Sequence, residues 1–478
     1  MCVAVGFPGR NRFGTGIIRS FAHCFDRLRC CQSILITFKS DRVRQTLKET
    51  DVVEWQRLRL LVALFLGTLP IGLGPRVIAQ ESTQQSAPED PTIVALLQKA
   101  EAGDPQAQSN LGERYASGRG VATDYPAAVM WWKRAAEQGD ASAQNELGYS
   151  YEHGRGIPQD YSQALQWFRK AADQGLATAE YNLGRMYQHG MGVPRTYAAS
   201  ADWYRKAAAQ GSGAAENNLA TLYLHGWGVP RDPRVAFTLF SKSAQQGEAS
   251  AQYNLGEAYL FGNGAKPDYA QALVWFRTSA SQDFSAAYYA LGYLYENGKG
   301  VTRNYEEAAR MYQRAAEDGL ARAQALLGYL YGEGRGVPQD FTKAAEWFSR
   351  AAEQGDAVGQ ASLGWLYYSG HGVARDYGKA AELFGKAAAQ GFAMAEGNLG
   401  YLYERGQGVR LDYLEAYKWY QLAAAHGYGP ATRAIKSLSE IMTQEQLQKA
   451  RARASILMQG GRTTEVSKTS LDSLEIHN

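Results

Sequence analysis

The sequence predicts an all-α solenoid: nine helix-turn-helix repeats of 36 residues, stacked in a line. Three observations carry this. The dipeptide Leu-Gly recurs every 36 residues, at Leu111-Gly112, Leu147-Gly148 and Leu183-Gly184, and again from Leu255-Gly256 to Leu399-Gly400; Leu219-Ala220 fills the remaining slot. A tyrosine follows each leucine by four residues, from Tyr115 to Tyr403, with no insertion or deletion between copies. Within a copy, Ala107, Leu111 and Tyr115 stand at i, i+4 and i+8 on one helical face, and Gly118 and Gly120 then break the pattern. A pair of helices cannot bury such a face alone, so a fixed period in this range means stacked neighbours.

Taken in order, the chain opens on residues 1–52, which hold all four cysteines, Cys2, Cys24, Cys30 and Cys31. No disulfide or thiol chemistry is therefore expected in the repeats. Arg57 and Arg59 precede the uncharged run Leu60 to Pro75, and Val77-Ile78-Ala79 follows. A spanning helix needs about 20 apolar residues, so this shorter run reads as a secretory signal over residues 53–79, cleaved after Ala79. Because a signal starts near the first residue, the true start is expected near Val53, with residues 1–52 a mis-assigned extension. Residues 80–91 are polar and carry proline, as a linker does.

The solenoid is expected over residues 92–430. Ile93 to Gly103 matches only the second helix of a unit, so the array starts on a half repeat. In each full unit the first helix ends at a glycine such as Gly118, which adopts a left-handed conformation without penalty. Val121 anchors the turn, and Asp124, echoed by Asp160, Asp232, Asp268, Asp340, Asp376 and Asp412, stands where a second helix needs its N-cap. Ala128, Trp132, Ala135 and Ala136 form that helix's inner face, and Gly139 ends it. Small residues in the Gly112 column let the paired helices approach, while the Trp132 column fills the space between units. The copies with Ala220, Pro233, Leu239, Ala265 and Asp283 at motif positions depart from the pattern, so irregularity is expected from about Ala220 to Phe284. Capping helices are expected over residues 431–459, the last opened by a Thr443–Gln446 capping box. Residues 460–478 are polar and expected to be disordered.

The full pattern, read on Ala143 to Gly175 with Ile157 in place of the turn valine, resembles the SEL-1-like repeat family, a relative of the tetratricopeptide repeats. The resemblance covers about residues 92–430. It implies right-handed α/α superhelices that act as adaptors or scaffolds for protein complexes, with many bacterial members secreted or periplasmic. It also raises β-lactamase or penicillin-binding activity, ascribed to disulfide-rich members. Against that reading, the repeats lack cysteine and no S-x-x-K occurs in the chain.

Charge narrows the partner. The chain has a formal net charge of +3, but residues 1–79 hold 12 Lys/Arg against 5 Asp/Glu, which leaves residues 80–478 at −4. That balance argues against nucleic acid, which calls for a basic stripe. No phosphate-binding glycine loop and no H-E-x-x-H pair is present, so neither cofactor nor metal is expected. His153, His189 and His225 occupy one column of three successive units, but helices about 8–10 Å apart do not converge on one ion, so a surface role is favoured.

The groove is the better candidate. With Ala107, Leu111 and Tyr115 buried, positions 109, 113 and 116 point away at 100° per residue. In the superhelices implied by the resemblance, these columns line the concave side. The 113 column ends in the run Tyr293, Tyr329, Trp365, Tyr401, and the 109 column adds Tyr181, Tyr253 and Tyr289. Asn254 and Asn398 stand beside them and are assigned to hydrogen bonds with an extended peptide. Exposed aromatics anchor interfaces; the alternative is that these rings pack between neighbouring first helices. The sequence thus predicts an exported, non-enzymatic scaffold for a protein or peptide, periplasmic or secreted and associated with the cell envelope. Two alternatives stand beside it: an envelope hydrolase of β-lactamase or peptidoglycan-binding type, and an adaptor anchored by an uncleaved apolar segment.

Overall fold

Residues 91–460 are described by a computed structural model. The predicted signal peptide, the linker before Pro91 and the C-terminal tail beyond Gly460 lie outside the described residues.

Helix α1 (Pro91–Glu101) precedes nine helical pairs. The first helices are α2 (Pro105–Ser117), α4 (Ala141–His153), α6 (Ala177–His189), α8 (Gly213–His225), α10 (Ala249–Phe261), α12 (Ser285–Asn297), α14 (Ala321–Glu333), α16 (Ala357–Ser369) and α18 (Ala393–Arg405). The second helices are α3 (Tyr125–Glu137), α5 (Tyr161–Asp173), α7 (Tyr197–Ala209), α9 (Pro233–Gln245), α11 (Tyr269–Ala280), α13 (Tyr305–Glu317), α15 (Phe341–Glu353), α17 (Tyr377–Ala388) and α19 (Tyr413–Ala425). Helices α20 (Pro430–Ile441) and α21 (Gln444–Gly460) close the array, and no strand occurs among the described residues.

Each first helix packs on its own second helix, which packs on the next first helix. Successive first helices also touch, at α6–α8, α8–α10 and α14–α16, more closely than successive second helices do. The first helices therefore line the tighter, inner side of the array.

Local chemistry accounts for the elements. Asp160 caps α5, its carboxylate accepting from Ser162 N at 2.9 Å and Gln163 N at 3.0 Å. Such a cap contributes about 1 kcal/mol. Gly148 sits where a Cβ would lie 2.8 Å from the Phe168 ring, so the absence of a side chain sets how near α4 and α5 approach. Phe168 is fully buried and also meets Ala179, Leu183 and Met186 of the next unit. The second glycine of each turn acts across units: a Cβ on Gly156 would lie 2.4 Å from the backbone of Tyr125, at the start of the preceding second helix.

The stretch from Ala220 to Phe284, expected to be irregular, keeps its period, with α11 one residue shorter than α8, α9 and α10. Ala220 is buried against Phe240 without breaking the α8–α9 pair. Asp283 adopts φ 58°, the left-handed conformation that glycine supplies elsewhere. Packing of repeated neighbours on both sides holds these copies in register.

Both ends are covered. Ile93 and Ala100 of α1 are buried against Ala107, Leu111 and Trp131. At the other end Leu447 and Ala450 of α21 cover Ala416, Tyr417 and Tyr420 of α19. Thr443 N donates to Gln446 Oε1 at 2.8 Å, and Gln446 N donates to Thr443 Oγ1 at 3.2 Å, which is the capping box.

Candidate partner-binding groove

The 113 column lies on the first helices, about one turn before the end of each. Trp365 is 45% exposed and Tyr401 37%, while Tyr293 and Tyr329 are half-buried. Burial raises the phenol pKa of Tyr329. These four rings stand on four consecutive units, α12 to α18. Units before them carry Arg185, Thr221 and Glu257 in the same column, so the aromatic run has a definite start.

The 109 column does not line the groove. Tyr289 is 3% exposed and meets Tyr312 at 6.0 Å between ring centroids. Tyr181 lies 5.8 Å from Tyr204, and Tyr253 lies 5.6 Å from both Phe276 and Phe284. A wheel with one buried face assumes one packing neighbour. A first helix here has three: the second helices on either side and the next first helix. Position 109 turns into the second helix of its own unit.

The asparagines are also partly committed. Asn254 Nδ2 donates to Asn217 Oδ1 at 2.8 Å, and Asn182 Nδ2 donates to Asn145 Oδ1 at 3.0 Å. These bonds run between neighbouring first helices, so the Asn254 amide is not freely offered to a peptide. Asn398 is half-buried.

One feature of the ladder was not read from the sequence. Three of the rings carry a cation or an imidazole from the turn that follows them, and Tyr401 carries Arg405 from the end of its own helix. Lys299 Nζ is 2.7 Å from Tyr293 Oη and 4.9 Å from its ring centroid. Arg335 lies 5.4 Å from Tyr329, and Arg405 lies 5.5 Å from Tyr401. His371 stacks on Trp365 at 5.3 Å and 8°. The signal was present as Lys299, Arg335 and His371 between the two turn glycines, six residues after the ring. Only the fold brings that position back over the helix.

A second set escaped the sequence reading, at the opposite edge of the array. Gln144 Nε2 donates to Ala136 O at 3.1 Å and its Oε1 accepts from Gln174 at 2.8 Å, tying three helices together. Gln252 repeats this with Ala244 O and Gln282, at 3.2 and 2.8 Å.

His153, His189 and His225 are exposed. His153 Nδ1 lies 3.1 Å from Tyr149 O, and His225 stacks on Trp227 at 4.5 Å. Burial lowers the His225 pKa, with Arg231 adding to the shift. Among the described residues no group of His, Cys, Asp or Glu is placed to hold a metal ion, and no helix is long and apolar enough to cross a membrane. A cleft of about 340 Å³ lies at the first end, lined by Ile93, Leu96, Asn110, Glu113, Arg114 and Arg119, away from the ladder.

Comparison with known proteins agrees with this architecture. The Sel1 repeat model matches nine consecutive segments, from 105–140 to 393–428. The crystal structure of a protective antigen present in uropathogenic Escherichia coli strains, displaying an SLR fold, is 37% identical, with a TM-score of 0.66 over 79% of this chain and 84% of that one. A Sel1 repeat protein from Oxalobacter formigenes is 33% identical, with a TM-score of 0.50 over 70% of this chain and 98% of that one. Comparison with curated proteins gives no match. Repeats of this type are generally scaffolds for protein interaction. Nine consecutive units in register, built as helical pairs and matched over most of their length, place this chain in the Sel1 repeat family.

Proposed function

We propose that the chain is an exported, non-enzymatic scaffold that holds a protein or peptide along the inner face of its first helices. The observation that carries this reading is the run Tyr293, Tyr329, Trp365 and Tyr401, exposed or half-buried on four consecutive units. Large rings at one position per unit offer contact area with little side-chain entropy to lose, on helices that are already ordered. Asn398 flanks the run, while Asn254 is committed to Asn217. Support for export, into the periplasm or beyond, comes from the basic, apolar and small-residue pattern of residues 57–79, and from a 37% identical relative that is a protective antigen.

The test is capture from the native cell envelope by the mature protein and by a Trp365→Ala/Tyr329→Ala variant. Loss of at least about 2 kcal/mol, roughly 30-fold in affinity, is expected for a pair of anchor rings. Unchanged capture by a variant that melts normally means the partner uses another surface. N-terminal sequencing of the mature protein should begin at Gln80; a peptide from residues 1–52 in it overturns the export assignment.

A further inference from the structure

We infer that the cleft at the first end of the array takes a short zwitterionic peptide, with its ammonium at Glu113, its carboxylate at Arg114 and Arg119, and an apolar side chain against Ile93 and Leu96. The site lies away from the ladder and does not depend on the groove reading. It exists because the array starts on a half repeat. Helix α1 stands where a second helix would, and among the described residues no first helix precedes it. The positions 36 residues before α2 carry Pro70, Gly72, Gly74 and Pro75, which interrupt a helix. In the third unit the same face is covered: Asn182 Nδ2 donates to Asn145 Oδ1 at 3.0 Å and Arg185 donates to Glu152 Oε1 at 3.0 Å, both partners on the preceding first helix. Asn110 and Glu113 are the equivalents in the first unit, and both are exposed. Arg114 stands where Met186 and Leu222 are fully buried in later units, yet it too is exposed.

Charges of both signs thus share one cleft. Glu113, Arg114 and Arg119 stand in no ion pair among the described residues. Glu113 and Arg114 are adjacent on α2, so their side chains do not face each other. Burial raises the carboxyl pKa of Glu146 in the next unit, and the charge of Glu113 adds to the rise. A ligand that is only an anion meets Glu113, and one that is only a cation meets two guanidinium groups. A ligand with opposite charges at its two ends satisfies all three. Guanidinium groups match the two oxygens of a carboxylate, and such charge-assisted bonds are stronger than neutral ones. Asn110 Oδ1 accepts from Gln106 Nε2 at 3.3 Å, which leaves the Asn110 N–H groups for a peptide carbonyl. Ile93, buried, and Leu96, half-buried, supply the apolar part of the lining. The cleft, about 340 Å³, is at the low end of the 300–1,000 Å³ typical of ligand sites, which suits a peptide of two or three residues.

The experiment is calorimetric titration of the mature protein with alanyl-leucine, its N-acetyl form and its C-terminal amide. The free dipeptide should bind saturably, and either blocked form should bind about tenfold or more weakly. Glu113→Gln should abolish the penalty for acetylation and keep the penalty for amidation. Arg114→Gln/Arg119→Gln should do the reverse. All three side chains are exposed, so the melting temperature of each variant should stay put. No saturable heat with millimolar dipeptide overturns the proposal. So does equal binding of either blocked form, or a variant that keeps both penalties. Loss of binding in Trp365→Ala/Tyr329→Ala places the peptide on the ladder and not in the cleft, which also overturns it. Binding that appears only after removal of residues 80–88 assigns the cleft to the chain's own preceding segment and overturns an outside ligand. If binding and both variant effects hold while envelope capture is indifferent to Trp365→Ala/Tyr329→Ala, the cleft stands and the groove reading falls.

Discussion

Glu216 occupies a place that glutamine holds in other units, and the substitution has a cost that the structure explains. Gln144 and Gln252 both donate to a carbonyl at the end of the preceding second helix and accept from a glutamine at the end of their own. Glu216 accepts from Gln246 at 2.9 Å, but an ionised carboxylate has no proton for the carbonyl. Burial raises its pKa. A carboxyl whose pKa is higher folded than unfolded contributes its stability below the ordinary carboxylate range and loses it as pH rises through the folded value. Glu216→Gln should therefore stabilise the protein by about 1 kcal/mol at pH 7 and by much less near pH 4. Thermal melts of both proteins at the two pH values check this. The glutamines repeat every 36 residues, as Gln138, Gln174, Gln210, Gln246 and Gln282. Their pattern was legible, but their role was not, because each partner lies 30 residues away.

Within one unit the two turn glycines do different work. Gly154 and Gly156 both have positive φ, 67° and 72°, so an alanine at either is strained by about 1–2 kcal/mol. A Cβ on Gly154 would meet nothing nearer than 3.4 Å, whereas on Gly156 it would lie 2.4 Å from the Tyr125 backbone. Backbone cannot rotate away as a side chain can. Gly156→Ala should cost at least about 1 kcal/mol more than Gly154→Ala in urea unfolding. Equal costs mean that the turn accommodates the preceding unit by moving. The sequence assigned both glycines to ending a helix; that the second also sets the spacing between units follows only from the fold.

Across the whole array, stability is a sum of similar units and their interfaces, so a shift repeated in several units adds up. Burial raises the carboxyl pKa of Glu146, Glu216, Glu296 and Glu396, in units spread along the chain. By the linkage given for Glu216, each contributes most when protonated, so the melting temperature should rise as pH falls from neutral toward the ordinary carboxylate range. A melting temperature that does not rise means that these four carboxyls ionise as readily in the folded chain as in the unfolded one.

The sequence by itself determined the number of units, their helical pairs, the caps at Asp160 and its equivalents, and the column that carries Tyr293, Tyr329, Trp365 and Tyr401. Those features depend on positions within 36 residues, where helical periodicity and glycine placement are sufficient. Only the tertiary structure decided that Tyr289 is core, that Asn254 is bound to Asn217, and that Lys299 and Arg335 lie over the ladder. A helical wheel gives the direction of a side chain but not how many neighbours enclose the helix. That number is set by stacking, which brings together residues one unit or more apart.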